Sequence, residues 1–152
     1  MTARFVTAGG GFLLAVLWFD LMHDVQVVGH RGAAELPADV LASISRYYRR
    51  VTTDARPMNR LVALVMLATL AAVIAEIAAD DVRSWVAWTS LVLAAAPISL
   101  GAVHTFKAAV RLGGRADTVD RQSALARSIF RDHVFCLASI ATLMAIQLAF
   151  AT

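Results

Sequence analysis

Charged residues are scarce in this chain, at 16% of 152 residues, against roughly a quarter in an ordinary soluble domain. Lysine is almost missing, with one residue against thirteen arginines. A second cysteine is missing altogether: Cys136 stands alone in an apolar run, which excludes an intrachain disulfide and reads as small packing. No Cys/His spacing suits zinc. Gly9, Gly10 and Gly11 have neither a strand before them nor a lysine after them, so they form no phosphate loop and read as a packing notch. Nothing resembles a nucleic-acid-binding motif, so the basic pI of about 9.8 needs another explanation.

Hydrophobic residues fill the space that charge leaves. They make up 59% of the chain and lie in long runs. A run of about 18 or more apolar residues with few charges reads as a membrane span. Residues 61–79 are interrupted only by Glu76, residues 85–106 carry Pro97 and His104 but no formal charge, and residues 134–151 are uncharged. The first run is shorter, ending where Asp20, His23 and Asp24 interrupt it before Val27 and Val28. A signal peptide would be followed by a small-residue cleavage site, and none follows. The expectation is one all-α transmembrane domain over residues 1–152, a four-helix bundle with spans of about 5–28, 57–79, 84–109 and 120–151.

The arginines explain the pI. Arg31, Arg46, Arg49, Arg50, Arg56, Arg60, Lys107, Arg111, Arg115, Arg121, Arg127 and Arg131 all fall at one end of such a bundle, leaving only Arg4 and Arg83 for the other. The positive-inside rule makes the basic end cytoplasmic and puts both termini outside. The arginine bias and abundant alanine suggest a GC-rich bacterium, hence multi-pass placement in a bacterial plasma membrane. Between the first two spans, residues 38–54 pattern as an amphipathic helix lying in the interface. Val40, Ile44, Tyr47 and Val51 share its apolar side, while Ser43, Arg46, Arg49 and Arg50 lie opposite. Arg46, Arg49 and Arg50 are expected to contact anionic lipid. Pro57 suits the first turn of the second span, and Gly113-Gly114 ends the third helix.

An ionisable group inside a span costs about 2.5–3.5 kcal/mol on insertion scales and so needs a partner or a purpose. With this topology, Asp20, His23, Asp24, Asn59, Arg60, His104, Arg131, Asp132 and His133 all fall at one level in the cytoplasmic half. Gly9, Leu13, Val16, Asp20, Asp24 and Val27 share a stripe on the first span. Ser90, Pro97, Gly101, His104 and Ala108 line up on the third, and Ser128, Asp132, Cys136 and Ser139 on the fourth. Glu76, near Asp80, Asp81 and Arg83 at the outer end, reads as snorkelling or paired there. Trp85 and Trp88 read as interfacial belt residues.

Three readings of the polar layer stay open. Asp20, Asp24 and Asp132 could pair structurally with Arg60, Arg131 or Lys107. They could form a catalytic pocket of Asp20, His23, His104, Asp132 and His133, with histidine as base and a carboxylate orienting it. Or the carboxylates and histidines could relay protons or ions. Asp20-x-x-His23 has the carboxylate-x-x-His spacing of di-iron bundles, but one copy without two further carboxylates does not make that site. No metal is expected; haem on two of the four histidines stays open, and the cofactor is unknown.

The order of elements carries a resemblance. LPADVLASISRYYRR precedes a proline-led second span, and Arg131, Asp132 and His133 open the apolar part of the last one. In this the chain resembles the anthrone-oxygenase-like family of small four-helix membrane proteins. The resemblance implies oxidation of a lipophilic aromatic, with His133 and His23 as bases. The leading expectation is therefore an oxidoreductase- or oxygenase-like membrane enzyme acting on a hydrophobic small molecule. The alternatives are a non-catalytic accessory subunit and a small transporter, which would work as a homo-oligomer.

Overall fold

A computed structural model describes residues 2–80 and 82–151, without the side chain of Arg56. The described residues are helical almost throughout. The helices are α1 (Thr2–Asp24), α2 (Ala38–Arg49), α3 (Arg56–Ala79), α4 (Ser84–Leu100), α5 (Phe106–Gly114) and α6 (Val119–Phe150). A 3-10 segment, Val25–His30, continues α1. Wide π turns at Arg50–Asp54 and Gly101–Thr105 follow α2 and α4.

Four of the helical runs are long and apolar enough to cross a membrane: Thr2–His30, Pro57–Ala79, Ser84–Gly114 and Val119–Phe150. The chain is a multi-pass integral membrane protein built as a helical bundle. Its third and fourth runs are longer than the apolar pattern alone requires. At about 1.5 Å per residue, 32 residues of α6 extend roughly 48 Å, well beyond a hydrocarbon core of about 30 Å. Trp18, Phe19, Leu64, Leu67, Val92 and Val103 are exposed on the outside of the bundle, an arrangement that suits lipid and not water.

The spans close into a ring in which α1 touches α3 and α6, and α4 touches the same two helices. Successive spans run in opposite directions, so every neighbour in the ring is antiparallel, with Gly9 beside Thr69 and Gly10 beside Met144. Gly9 leaves room for Thr69 of α3, because a side chain at that position would run into it. Val6, Leu13, Val73, Ala94, Ile140 and Leu143 form the core inside this ring.

A second core lies at the α2 end. Val27, Leu36, Leu41, Ile44, Tyr48, Ala108, Leu112, Ala126 and Ile129 pack together there. They join the 3-10 segment, α2, α5 and the first turns of α6 into a helical cap on the bundle. The amphipathic helix between the first two spans is thus present, and its apolar side rests on protein. The buried edge is Leu41, Ile44, Ser45 and Tyr48. That edge is turned one residue from the expected stripe, so Tyr48 occupies the core and Tyr47 its margin. Gly113 makes the contact possible, since a Cβ there would stand 2.7 Å from the Arg49 nitrogen. The helix ends at Gly114, as Gly113-Gly114 led one to expect, and Arg115 with a φ of 50° supplies the left-handed cap. The loop into α2 is clamped by Arg127, whose guanidinium donates to the carbonyls of Ala33 at 2.6 Å and Ala34 at 3.1 Å. The Leu36 N–H donates to Ser123 Oγ at 2.9 Å.

The two cores leave a layer between them. Along α1 the order is Leu13, Asp20, Asp24, Val27; along α6 it is Ile129, Asp132, His133, Ile140. On both helices the ionisable residues fall between membrane core and cap core.

Candidate functional site

Asp20 and Asp24 are four residues apart on α1 and so share one face of the helix. Both are met by α2. The Tyr47 hydroxyl donates to Asp20 Oδ1 and the Tyr48 hydroxyl to Asp24 Oδ1, each at 2.6 Å. His133 enters from α6, the neighbour of α1 in the ring. Its Nδ1 lies 2.7 Å from Asp24 Oδ2, and its Nε2 faces Asp20 Oδ2 at 3.9 Å. Asp24 is fully buried, Tyr48 nearly so, and His133 is 7% exposed. The imidazole therefore has a carboxylate opposite each nitrogen, and each carboxylate is held by a tyrosine.

The two sides differ in a way that matters chemically. A contact of 2.7 Å is a charge-assisted hydrogen bond. A separation of 3.9 Å is beyond hydrogen-bond range. Nδ1 is thus committed to Asp24, which fixes the ring, while Nε2 and Asp20 face each other across a gap that one hydroxyl could bridge. Asp20 is also the less buried carboxylate of the two, so this gap lies on the outer side of the cluster.

The tyrosines are permanent donors. Burial first, and then the carboxylate beside it, pushes each phenol above its ordinary range: Asp20 for Tyr47 and Asp24 for Tyr48. His23 closes the outer side. Its ring stacks on Tyr47 with centroids 3.8 Å apart and planes at 10°, and its Nδ1 lies 3.1 Å from the Phe19 carbonyl. The structure thus brings Asp20, His23 and His133 into one cluster, together with Asp24, Tyr47 and Tyr48.

His104 and Asp132 form a separate pair. His104 Nδ1 lies 2.7 Å from Asp132 Oδ2, to which the Thr105 hydroxyl also donates at 2.8 Å. Two consecutive residues reach one oxygen because they sit in the π turn Gly101–Thr105, whose wider winding departs from regular helical spacing. Asp132 and His133 are adjacent on α6 and turn to different partners. The His104 side chain is half exposed and Asp132 is mostly covered.

The expected arginine pairing of the carboxylates does not occur. Arg60, Lys107 and Arg131 are exposed, and Asp20, Asp24 and Asp132 take tyrosine, histidine and threonine partners instead. A long, strongly hydrated side chain at the bundle surface keeps its charge in water more cheaply than it pairs inside. Tyr47 and Tyr48 are the residues that sequence reasoning missed. Their signal is two hydroxyl-bearing residues on a helix that follows an Asp-x-x-x-Asp face, although the amphipathic pattern puts Tyr47 in the apolar stripe.

At the opposite end of the bundle, Glu76 is fully buried, which excludes snorkelling. Gln147 Nε2 donates to Glu76 Oε2 and to Ser90 Oγ, both at 2.9 Å. Asp81, expected near Glu76, lies outside the described residues. Among the described residues no three His, Cys, Asp or Glu side chains are arranged to hold a metal ion. No family model, no curated protein and no solved structure matches this chain.

Proposed function

We propose that this chain is a membrane-embedded acid–base catalyst that uses His133 to move a proton on a lipophilic small molecule. The observation that carries this reading is the unequal pair of contacts at the imidazole. Asp24 holds Nδ1 at 2.7 Å, and Nε2 is left facing a 3.9 Å gap. A base needs one nitrogen fixed by an orienting carboxylate and the other directed at the reacting proton. Asp20 on the far side of the gap accepts a hydrogen bond from the bridging group or takes part in its proton transfer. Tyr47 and Tyr48 keep both carboxylates in place, and His23 shields Tyr47.

The site's depth supports a lipophilic substrate. It lies at the boundary between membrane core and cap, where a molecule arriving through lipid meets the first polar groups. The resemblance to the anthrone-oxygenase-like proteins adds a finer version: an aromatic with an acidic methylene, deprotonated at Nε2 to an electron-rich anion that dioxygen oxidises to the ketone, one oxygen atom entering the product and the other leaving as water with the two methylene hydrogens. The basic end of the bundle supports a cytoplasmic position for the site, in a bacterial plasma membrane with both termini outside. A transmembrane proton path has less support, because Leu13, Val73, Ala94, Ile140 and Leu143 fill the interior between His133 and the Glu76–Gln147 pair.

The test is deuterium exchange at the anthrone methylene, measured with the full chain in nanodiscs. The chain should accelerate exchange, and His133→Gln should remove the acceleration, a factor of about 10² to 10⁴ for a positioned base. Equal exchange with and without the protein refutes the catalytic reading and leaves an accessory role.

A further inference from the structure

The outward side of α2 carries a feature unrelated to the His133 cluster. A surface cleft of about 550 Å³ is lined by Arg46, Arg49, Arg50, Asp54 and Ala55. A second, of about 210 Å³, is lined by Ala42, Ser45, Arg46, Arg49, Gly113, Gly114 and Arg115. Arg46 and Arg49 line both, so the two clefts adjoin at these side chains and together make a groove from the end of α5 along α2 to its π turn. Four guanidinium groups border it. The one carboxylate present, Asp54, stands 4.0 Å from Arg49 Nε and is itself exposed, a weak solvated pair.

We propose that this groove binds the phosphodiester headgroup of an anionic phospholipid. Several converging arginines are the arrangement that recognises a phosphate through charge-assisted, forked hydrogen bonds. The groove also contains a polar group with nothing to bond. Ser45 is completely buried, and its hydroxyl oxygen has no hydrogen-bond partner among the described residues. A helical serine usually donates back to the carbonyl four residues earlier, as Ser123 does here to Val119. Ser45 does not, and it lines the groove between Arg46 and Gly113. A phosphate oxygen would satisfy it once the flexible Arg46 and Arg49 side chains part around the headgroup.

The position argues for a lipid and against a free phosphate. Ala55 at the groove's edge is followed directly by α3, whose exposed side begins at Met58 and continues through Leu61, Leu64 and Leu67. A headgroup in the groove would therefore sit one turn above a ready track for its acyl chains. The groove lies just beyond the N-terminal end of the α3 span, and its charge is opposite to that of anionic headgroups. It forms only because Gly113 lets α2 settle against α5, so the site belongs to the cap's packing and not to the arginines alone.

The test is native mass spectrometry of the full chain in a neutral detergent, titrated separately with dioleoylphosphatidylglycerol, dioleoylphosphatidylcholine and inorganic phosphate. Phosphatidylglycerol should bind at one saturable site, at least tenfold more tightly than phosphatidylcholine. Substituting Arg46, Arg49 and Arg115 together with glutamine should weaken it about a hundredfold, at roughly 1 kcal/mol per basic residue. Substituting Lys107, Arg121 and Arg131, also exposed but outside the groove, removes the same charge and should change affinity less than threefold. Should the triple groove variant fail to fold, Arg49→Gln and Ser45→Ala serve separately, each expected to weaken phosphatidylglycerol binding with the melting temperature held or raised. Equal weakening by the two triple variants would reduce the effect to net charge and overturn the site. Saturable inorganic phosphate of similar affinity would overturn the lipid assignment.

Discussion

Gly113 is the residue on which the seating of α2 depends, and Gly113→Ala tests it at the level of tenths of an ångström. An added Cβ would stand 2.7 Å from the Arg49 nitrogen, 2.9 Å from its Cα and 3.2 Å from the Tyr48 carbonyl carbon. All three are backbone atoms, so no side chain can swing aside. Ordinary contact begins at 3.4 Å, so α2 must retreat by about 0.7 Å at this point. Overpacking of this kind costs typically 1–3 kcal/mol. The alanine's better helix propensity returns up to about 1 kcal/mol. The same retreat moves the α2 backbone that carries Tyr48 and so disturbs the 2.6 Å bond from its hydroxyl to Asp24. The neighbouring Gly114 has nothing within 4 Å, so Gly114→Ala provides the control. In one detergent, Gly113→Ala should melt several degrees below the parent, while Gly114→Ala should match it or melt slightly higher. Second-derivative ultraviolet absorbance of the two tyrosines should change only in the first variant. Identical melting of the two variants would refute the close α2–α5 contact, and with it the support of Tyr47 and Tyr48.

Further outcomes follow from the same geometry. Tyr47 and Tyr48 are the only tyrosines in the chain, so tyrosinate absorbance reports on the cluster alone. Their folded pKa values lie above the unfolded value near 10, so their contribution to stability is complete below about pH 10 and is lost as pH rises beyond it. A spectrophotometric titration should show no tyrosinate through pH 10, and its appearance should coincide with unfolding; a smooth titration near pH 10 in the folded protein contradicts the buried bonds. Asp24→Leu leaves the Tyr48 hydroxyl and His133 Nδ1 without their acceptor and should cost about 3–5 kcal/mol, whereas His133→Gln, which keeps a donor for Asp24, should shift melting far less; reversed sensitivities count against Asp24 as the anchor. A reporter inserted between Arg115 and Asp117 should be active only in the cytoplasm, and one at Arg83 only outside, as the arginine distribution requires.

The sequence by itself determined the solvent and the number of crossings. Runs such as residues 61–79 have nowhere stable to go but a membrane, and lipid requires their backbone groups to bond within each helix. It also determined the level of the ionisable residues, because helical rise converts position in a span directly into depth. That is why Asp20, His23 and His133 could be placed together before any contact was known. Depth is one coordinate of three, however. Which groups at that level touch depends on the order of the helices around the ring and on the rotation of each about its axis. Only the tertiary structure paired His133 with Asp24 while turning the adjacent Asp132 toward His104, through a π turn that shifts two residues onto one oxygen. Only the packing of α2 on α5 turned that helix by a residue, so that Tyr48 went into the core and Tyr47 onto Asp20. Amphipathic periodicity identifies an apolar face, and it is the same whether that face meets lipid or protein. The decision between them rested on Gly113, where the absence of a single carbon admits another helix.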